Sequence, residues 1–120
     1  MTAYRKKKVG FWPEGKASRL RAIAKVTDPN WKKENPQAFA AIILYLGDPD
    51  SKKRYKGYAK CAVCGKPNGT MDYHKGKWVF PEGYLHYVRD HHVVPCAGLV
   101  SNALASMGFD EVAKTWNKSR

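Results

Sequence analysis

Cys61 and Cys64 lie three positions apart; His86 follows Cys64 after twenty-two residues, and His91 stands five beyond His86. Two sulfurs and two imidazoles at those intervals are the donor set of one tetrahedral zinc ion. Gly65-Lys66 follows the pair directly, a small-residue turn that lets a knuckle present both sulfurs and its backbone amides to a metal. A filled Cys2His2 shell has no position for water, so an ion held there would brace the fold rather than activate a nucleophile. Three further donors compete. His92 adjoins His91, and because neighbouring histidines point in different directions only one of them can join His86; finger-like spacing favours His91. His74 lies among charged neighbours in a candidate hairpin and reads as a surface residue. Cys96, after Pro95, reads as a small buried apolar side chain, with replacement of a histidine ligand as the alternative. The plainer alternative for the whole set is an unmetallated CxxC with core histidines. A redox pair is less compatible with the sequence, which lacks the strand-then-helix context such a motif needs.

The elements that must carry these donors can be read from turn chemistry and periodicity. Pro67-Asn68-Gly69 turns the chain, Thr70 to His74 alternates as a strand does, and Lys75-Gly76-Lys77 joins it to Trp78-Val79-Phe80, which predicts a β-hairpin. Pro81-Glu82-Gly83 breaks the hairpin, and Tyr84 to Asp90 resumes as a short helix bearing His86. On an ideal helix positions 86 and 91 are about 140° apart, so the last turn must tighten or unwind for both to face one ion. Val93-Val94-Pro95 is a suitable ending. Upstream, apolar residues recur at helical intervals from Ala17 or Ser18 to Val26, and Asp28-Pro29-Asn30 ends that helix. Asn35-Pro36 reads as a capped helix start, Phe39 to Leu46 as the most buried helix of the protein, and Gly47 as its end. Phe11-Trp12 is expected to dock onto the body. Ala97 to Met107 forms an Ala-rich helix, and Asp110 caps a terminal one containing Val112, Ala113 and Trp116.

Charge is the second strong signal. Among 120 residues, 22 Lys and Arg face 10 Asp and Glu, for a net +12. Residues 1–60 carry fifteen of those cations against five acids, and residues 61–120 seven against five. Such an imbalance calls for an anionic partner, since self-repulsion of this size does not help folding. Arg5, Lys6, Lys7 and Lys8 read as a basic arm that is mobile unless it lies on a polyanion. Lys52, Lys53, Arg54, Tyr55, Lys56 and Tyr58 interleave cations with rings, the composition of a surface that neutralises phosphates and offers flat faces to unstacked bases. A solvated charge run is the bland alternative for either cluster. No three-base-reading finger repeat, leucine heptad or RNA-recognition-motif signature is present, so contact through the nucleic-acid backbone is the expectation, DNA and RNA remaining open. The longest apolar stretch, Phe39 to Leu46, is far too short to span a bilayer, which predicts a protein without membrane association in a cytoplasmic compartment, the host's if the chain is viral. Three cysteines make poor raw material for a disulfide framework.

From Trp78 through Pro81, His86, Tyr87, Val88 and His91 to Val93 and Pro95, behind Cys61-x-x-Cys64-Gly, the chain resembles small zinc-finger-like proteins of bacteria and their phages. The resemblance spans about Cys61 to Pro95. It implies metal ligands at Cys61, Cys64, His86 and His91, packing by Trp78, Pro81 and Tyr87 around them, and no enzymatic activity. A second stretch, Asp90-His91-His92-Val93-Val94-Pro95 with Gly98 and Asn102 downstream, is similar to the first half of HNH endonucleases. There a histidine activates water, an asparagine orients that histidine, and a later histidine helps hold the catalytic metal. No histidine or cysteine follows Cys96 here, so the last metal-binding histidine of that pattern is missing.

Together these readings predict an α+β protein: a mostly helical small domain holding a zinc knuckle, a β-hairpin and a short helix in a ββα-like module. The expected organisation is a basic helical region at 1–60, a zinc-binding module at 61–95 and C-terminal helices at 96–120 packing on it, all in one compact domain. The favoured function is a basic nucleic-acid-binding accessory protein with a structural zinc. A structural component of a virion or ribonucleoprotein assembly, with Trp12, Trp31 and the basic arm buried against another chain, is the alternative, and a degenerate HNH-type endonuclease the second.

Overall fold

The chain is seen in a computed structural model that describes residues 6–54 and 59–118, with backbone alone at 117–118. Arg5, Tyr55, Lys56 and Tyr58 lie outside the described residues. In chain order come β1 (Lys7–Lys8), α1 (Lys16–Ala24), α2 (Trp31–Glu34), α3 (Pro36–Leu46), β2 (Ser51–Arg54), β3 (Met71–Lys75), β4 (Trp78–Pro81), α4 (Tyr84–Asp90), α5 (Ala97–Ser106) and α6 (Asp110–Lys118). The class is α+β.

The expected hairpin is present as β3 and β4, with Tyr73 opposite Phe80 and Lys75 opposite Trp78. Gly76, at φ 56°, fills the first position of the two-residue loop, where a primed turn needs a left-handed residue. Asp50 fixes that loop by accepting from Gly76 N at 2.7 Å, with Lys75 Nζ 3.7 Å from its other oxygen. The sheet is larger than the hairpin, however. Its order is β1-β4-β3-β2, because β2 pairs antiparallel with β3 and β1 pairs parallel with β4. The N-terminal basic segment is therefore not a free arm over Lys7 and Lys8. Lys7 N donates to Lys77 O at 2.7 Å and Val9 N to Val79 O at 3.0 Å, and Lys6 Nζ reaches Gly76 O at 2.8 Å. A short extended segment beside an existing hairpin satisfies its backbone groups by joining it.

Helices cover the sheet around one core. Ile23, Trp31, Ile42 and Leu46 from the first half join Phe80, Tyr84 and Val88 from the middle and Leu99, Leu104 and Ala113 from the end. In α3 the buried residues Ala38, Ala41, Ile42, Tyr45 and Leu46 follow helical spacing, while Leu44 points outward at 60% exposure. The more buried helix is α5, with six of ten residues buried against five of eleven in α3. An uninterrupted apolar run signals burial only when every face of the helix meets protein, and one face of α3 does not. Ser101 Oγ, itself buried, donates to Ala113 O at 2.9 Å and ties α5 to α6.

Two caps differ from expectation. Asn35 precedes α3, but its side chain turns back and donates from Nδ2 to Trp31 O at 2.9 Å, closing α2, a helix that the sequence did not announce. Asp110 sits inside the first turn of α6 rather than ahead of it, where its charge favours the amide end of the helix. Trp31 is buried with its ring edge-on to Trp116 at 6.1 Å, and Trp12 packs edge-on to Tyr87 at 5.6 Å. Trp12 thus docks as expected while Phe11 stays exposed, and the two tryptophans that an assembly partner would have covered are engaged within the chain. Among the described residues no helix is long and apolar enough to cross a membrane.

Candidate metal centre

The knuckle forms because its backbone closes on itself. Gly65 N donates to Cys61 O at 2.8 Å, Cys61 N to Lys66 O at 2.9 Å, and Gly65 takes φ 75°, a conformation that suits glycine. The amides of Val63 and Cys64 then point at Cys61 Sγ from 3.4 and 3.5 Å, donors that favour the thiolate a metal requires. Tyr87 OH accepts from Ala62 N at 2.8 Å and anchors the knuckle to α4. Burial raises the Tyr87 phenol above its ordinary value. Cys61 is 2% exposed, whereas Cys64 faces solvent.

His86 rides on α4. His91 follows the helix as its C-cap, at φ −122° and ψ 20°, and His92 swings to φ 61°. Tyr87 O accepts from both His91 N at 3.0 Å and Val93 N at 3.2 Å. The helix thus unwinds where the five-residue spacing requires it to. What holds it open is remote in sequence: Thr27 bridges Val93, Asp28 N donates to His92 O at 3.0 Å, and Val94 N donates to Val26 O at 2.7 Å.

The result is a cluster in which one donor atom each of Cys61, Cys64, His86 and His91 lies within 4.8 Å of all the others, a group that could hold a metal ion. Cys64 Sγ is 3.4 Å from His86 Nε2, and His86 Nε2 is 3.2 Å from His91 Nε2. In a tetrahedron with zinc bond lengths the S–N and N–N edges are about 3.6 and 3.3 Å. Burial, followed by the neighbouring His86, holds His91 below its usual imidazole value and so keeps a lone pair available. Of the competing donors, His74 sits on β3, Cys96 is exposed as the residue before α5 rather than buried as expected, and His92 points its Nδ1 into a buried position without a hydrogen-bond partner among the described residues.

Two residues that the sequence reading passed over complete the arrangement. Asp90 Oδ2 accepts from His86 Nδ1 at 2.9 Å, which fixes the tautomer that presents Nε2 to the cluster. Arg89 donates to both Asp90 oxygens, at 3.2 and 3.0 Å, and that contact holds the Asp90 carboxyl below the usual carboxylate range. A histidine and a carboxylate four apart on a short helix was the available signal. Asp90→Asn is expected to weaken metal affinity about 10- to 100-fold with the ion count unchanged at saturation, measured by competition with a chromogenic chelator.

The asparagine of the nuclease-like stretch is committed elsewhere: Asn102 Oδ1 accepts from Trp78 Nε1 at 2.7 Å. Of the nucleic-acid candidates within the described residues, Lys6, Lys7 and Lys8 lie at the β1 edge and Lys52, Lys53 and Arg54 form β2, all exposed. No family model, curated protein or solved structure matches this chain.

Proposed function

We propose that this chain is a zinc-binding, basic nucleic-acid-binding accessory protein whose Cys2His2 site, formed by Cys61, Cys64, His86 and His91, is structural. Two thiolates and two imidazoles favour zinc over the oxygen-seeking divalent ions, and four protein donors leave it closed to substrate. The ion would join the knuckle to α4.

The observation that carries the nucleic-acid reading is the position of the two basic clusters. Lys7 and Lys8 of the one and Lys52, Lys53 and Arg54 of the other are separated by more than forty residues in sequence, yet they occupy the two edges of one sheet. By register, Lys8 shares a side with Val79 and His74, and Lys53 shares that side with Asp72. Three strand spacings separate the edges, about 14 Å, so both can reach phosphates of one strand.

Fluorescence anisotropy with a labelled single-stranded thymidine homopolymer tests this. Affinity should fall steeply as salt rises, and Lys8→Ala and Lys53→Ala should each reduce the log–log slope by about one. Binding that ignores salt, or no binding at low salt, would overturn the reading. Elemental analysis of protein prepared without chelator should find one zinc per chain.

A further inference from the structure

Charged residues make up 27% of the chain, yet none of the eleven residues of α3 is charged. An uncharged helix is ordinary where protein surrounds most of it, as it does α5, but α3 keeps one face in water. Along that face Gln37, Ala40 and Leu44 recur at helical intervals, all three exposed. Leu44, at 60%, is the most exposed large apolar side chain among the described residues. A helix face that meets only water ordinarily carries charge, and this one carries none.

Charge returns at the two ends of α3, with the wrong sign for a helix standing alone. Ahead of its amide end, Lys32 and Lys33 outnumber Glu34 and leave one positive charge. Beyond its carbonyl end, Asp48 and Asp50 share Lys75, at 3.6 and 3.7 Å, and leave one negative charge. The helix itself has no acid in its first turn and no base in its last. A helix dipole favours the reverse placement, anions at the amide end and cations at the carbonyl end. A second α3 lying antiparallel supplies that reverse, since it brings aspartates to the one end and lysines to the other.

We infer that the exposed face of α3 is where two copies of this chain pair, antiparallel, about a twofold axis near Ala40. Ala40 is small and lets the helices approach closely where they cross. In that register Gln37 meets Leu44 of the second copy, and Lys33, which is exposed, meets Asp48 of the second copy. Asp48 is open to it, with 88% of its side chain exposed despite Lys75. At net +12, two copies repel over most of their surface, and an uncharged stripe ended by opposite charges is a face they can share. None of the cations assigned to the polyanion surface lies on α3, so the pairing does not depend on the nucleic-acid reading. One short helix face makes a small interface, and the dimer comes apart on dilution, so the unfolding of dilute protein is that of the monomer.

Sedimentation equilibrium of the zinc-loaded full chain, freed of nucleic acid, tests this over about 1 to 500 µM at fixed salt. The wild type should pass from monomer to dimer within that range. Ala40→Glu sets two like charges at the axis and should stay monomeric throughout, with a melting temperature at low concentration close to wild type. Lys33→Glu and Asp48→Lys, both outside the helix, should each weaken the dimer about tenfold. An equimolar mixture of those two variants should recover it, because each repulsive pair then becomes an attractive one. A wild type that remains monomeric overturns the inference, as does a dimer that survives Ala40→Glu. Charge variants that dimerise as the wild type does, or whose mixture recovers nothing, overturn the antiparallel pairing. Species that grow beyond a dimer with concentration overturn the closed twofold and leave a head-to-tail contact in its place.

Discussion

Cys61→Ser is expected to yield a chain that holds no stoichiometric metal and melts far below the wild type. Cys61 is the ligand with the least access to water and the one that the knuckle amides surround, so a hydroxyl there cannot recover the site by taking a solvent-facing alternative. Structural zinc contributes on the order of 10 kcal/mol of apparent binding energy in small modules, comparable to the whole stability of a typical domain. Core residues such as Phe80, Leu99 and Leu104 are not among the four candidate donors, so the loss should concentrate in the knuckle and the end of α4. Elemental analysis, thermal melting and hydrogen exchange at the amides of 61–66 and 91–94 would register it together. Cys96→Ser serves as the control and should keep both metal and melting point. Acid should release the ion as well, because thiolates and imidazoles bind metal only when unprotonated and a falling pH protonates them. A Cys61→Ser protein that retains one ion per chain would end the metal reading.

The second large effect separates two leucines that look alike in the sequence. Leu46→Ala should cost about 2 to 5 kcal/mol in denaturant unfolding, since Leu46 has no exposed surface and its loss leaves a cavity. Leu44→Ala, two positions away in the same apolar run, should stay within about 0.5 kcal/mol, because 60% of Leu44 already meets water. Equal costs would mean that the outward face of α3 is covered in solution. Leu44, Phe11 and Phe109 would then need a partner chain, as the assembly reading requires.

Much of the site was legible because its signals are short-range. The Cys61–Cys64 spacing with Gly65 dictates a knuckle by local sterics, Gly76 between two alternating runs dictates a hairpin, and the five-residue interval from His86 to His91 demands that a helix end between them. The carboxylate behind His86 was equally local and could have been read from the four-residue interval to Asp90. The burial of α3 and the role of Asn35 were not legible in the same way. Both depend on which neighbour arrives, and the arriving neighbours, α2 with Trp31 and the face of α5, are decided by packing.

What the amino-acid order determined by itself, then, is the candidate donor set, the turns that present it, the positions of most helices and the excess of cations in the first sixty residues. Tertiary structure alone decided that Lys7 and Lys8 become a strand parallel to β4, that Lys52 to Arg54 become the opposite edge, that residues 26–28 hold the end of α4 unwound, and that one face of α3 is left in water. The division has a physical cause. Ligand spacing and turn chemistry are fixed by bond geometry within a few residues, whereas strand order and the burial of a helix face come from backbone groups and side chains far apart in the chain finding their partners on a common core.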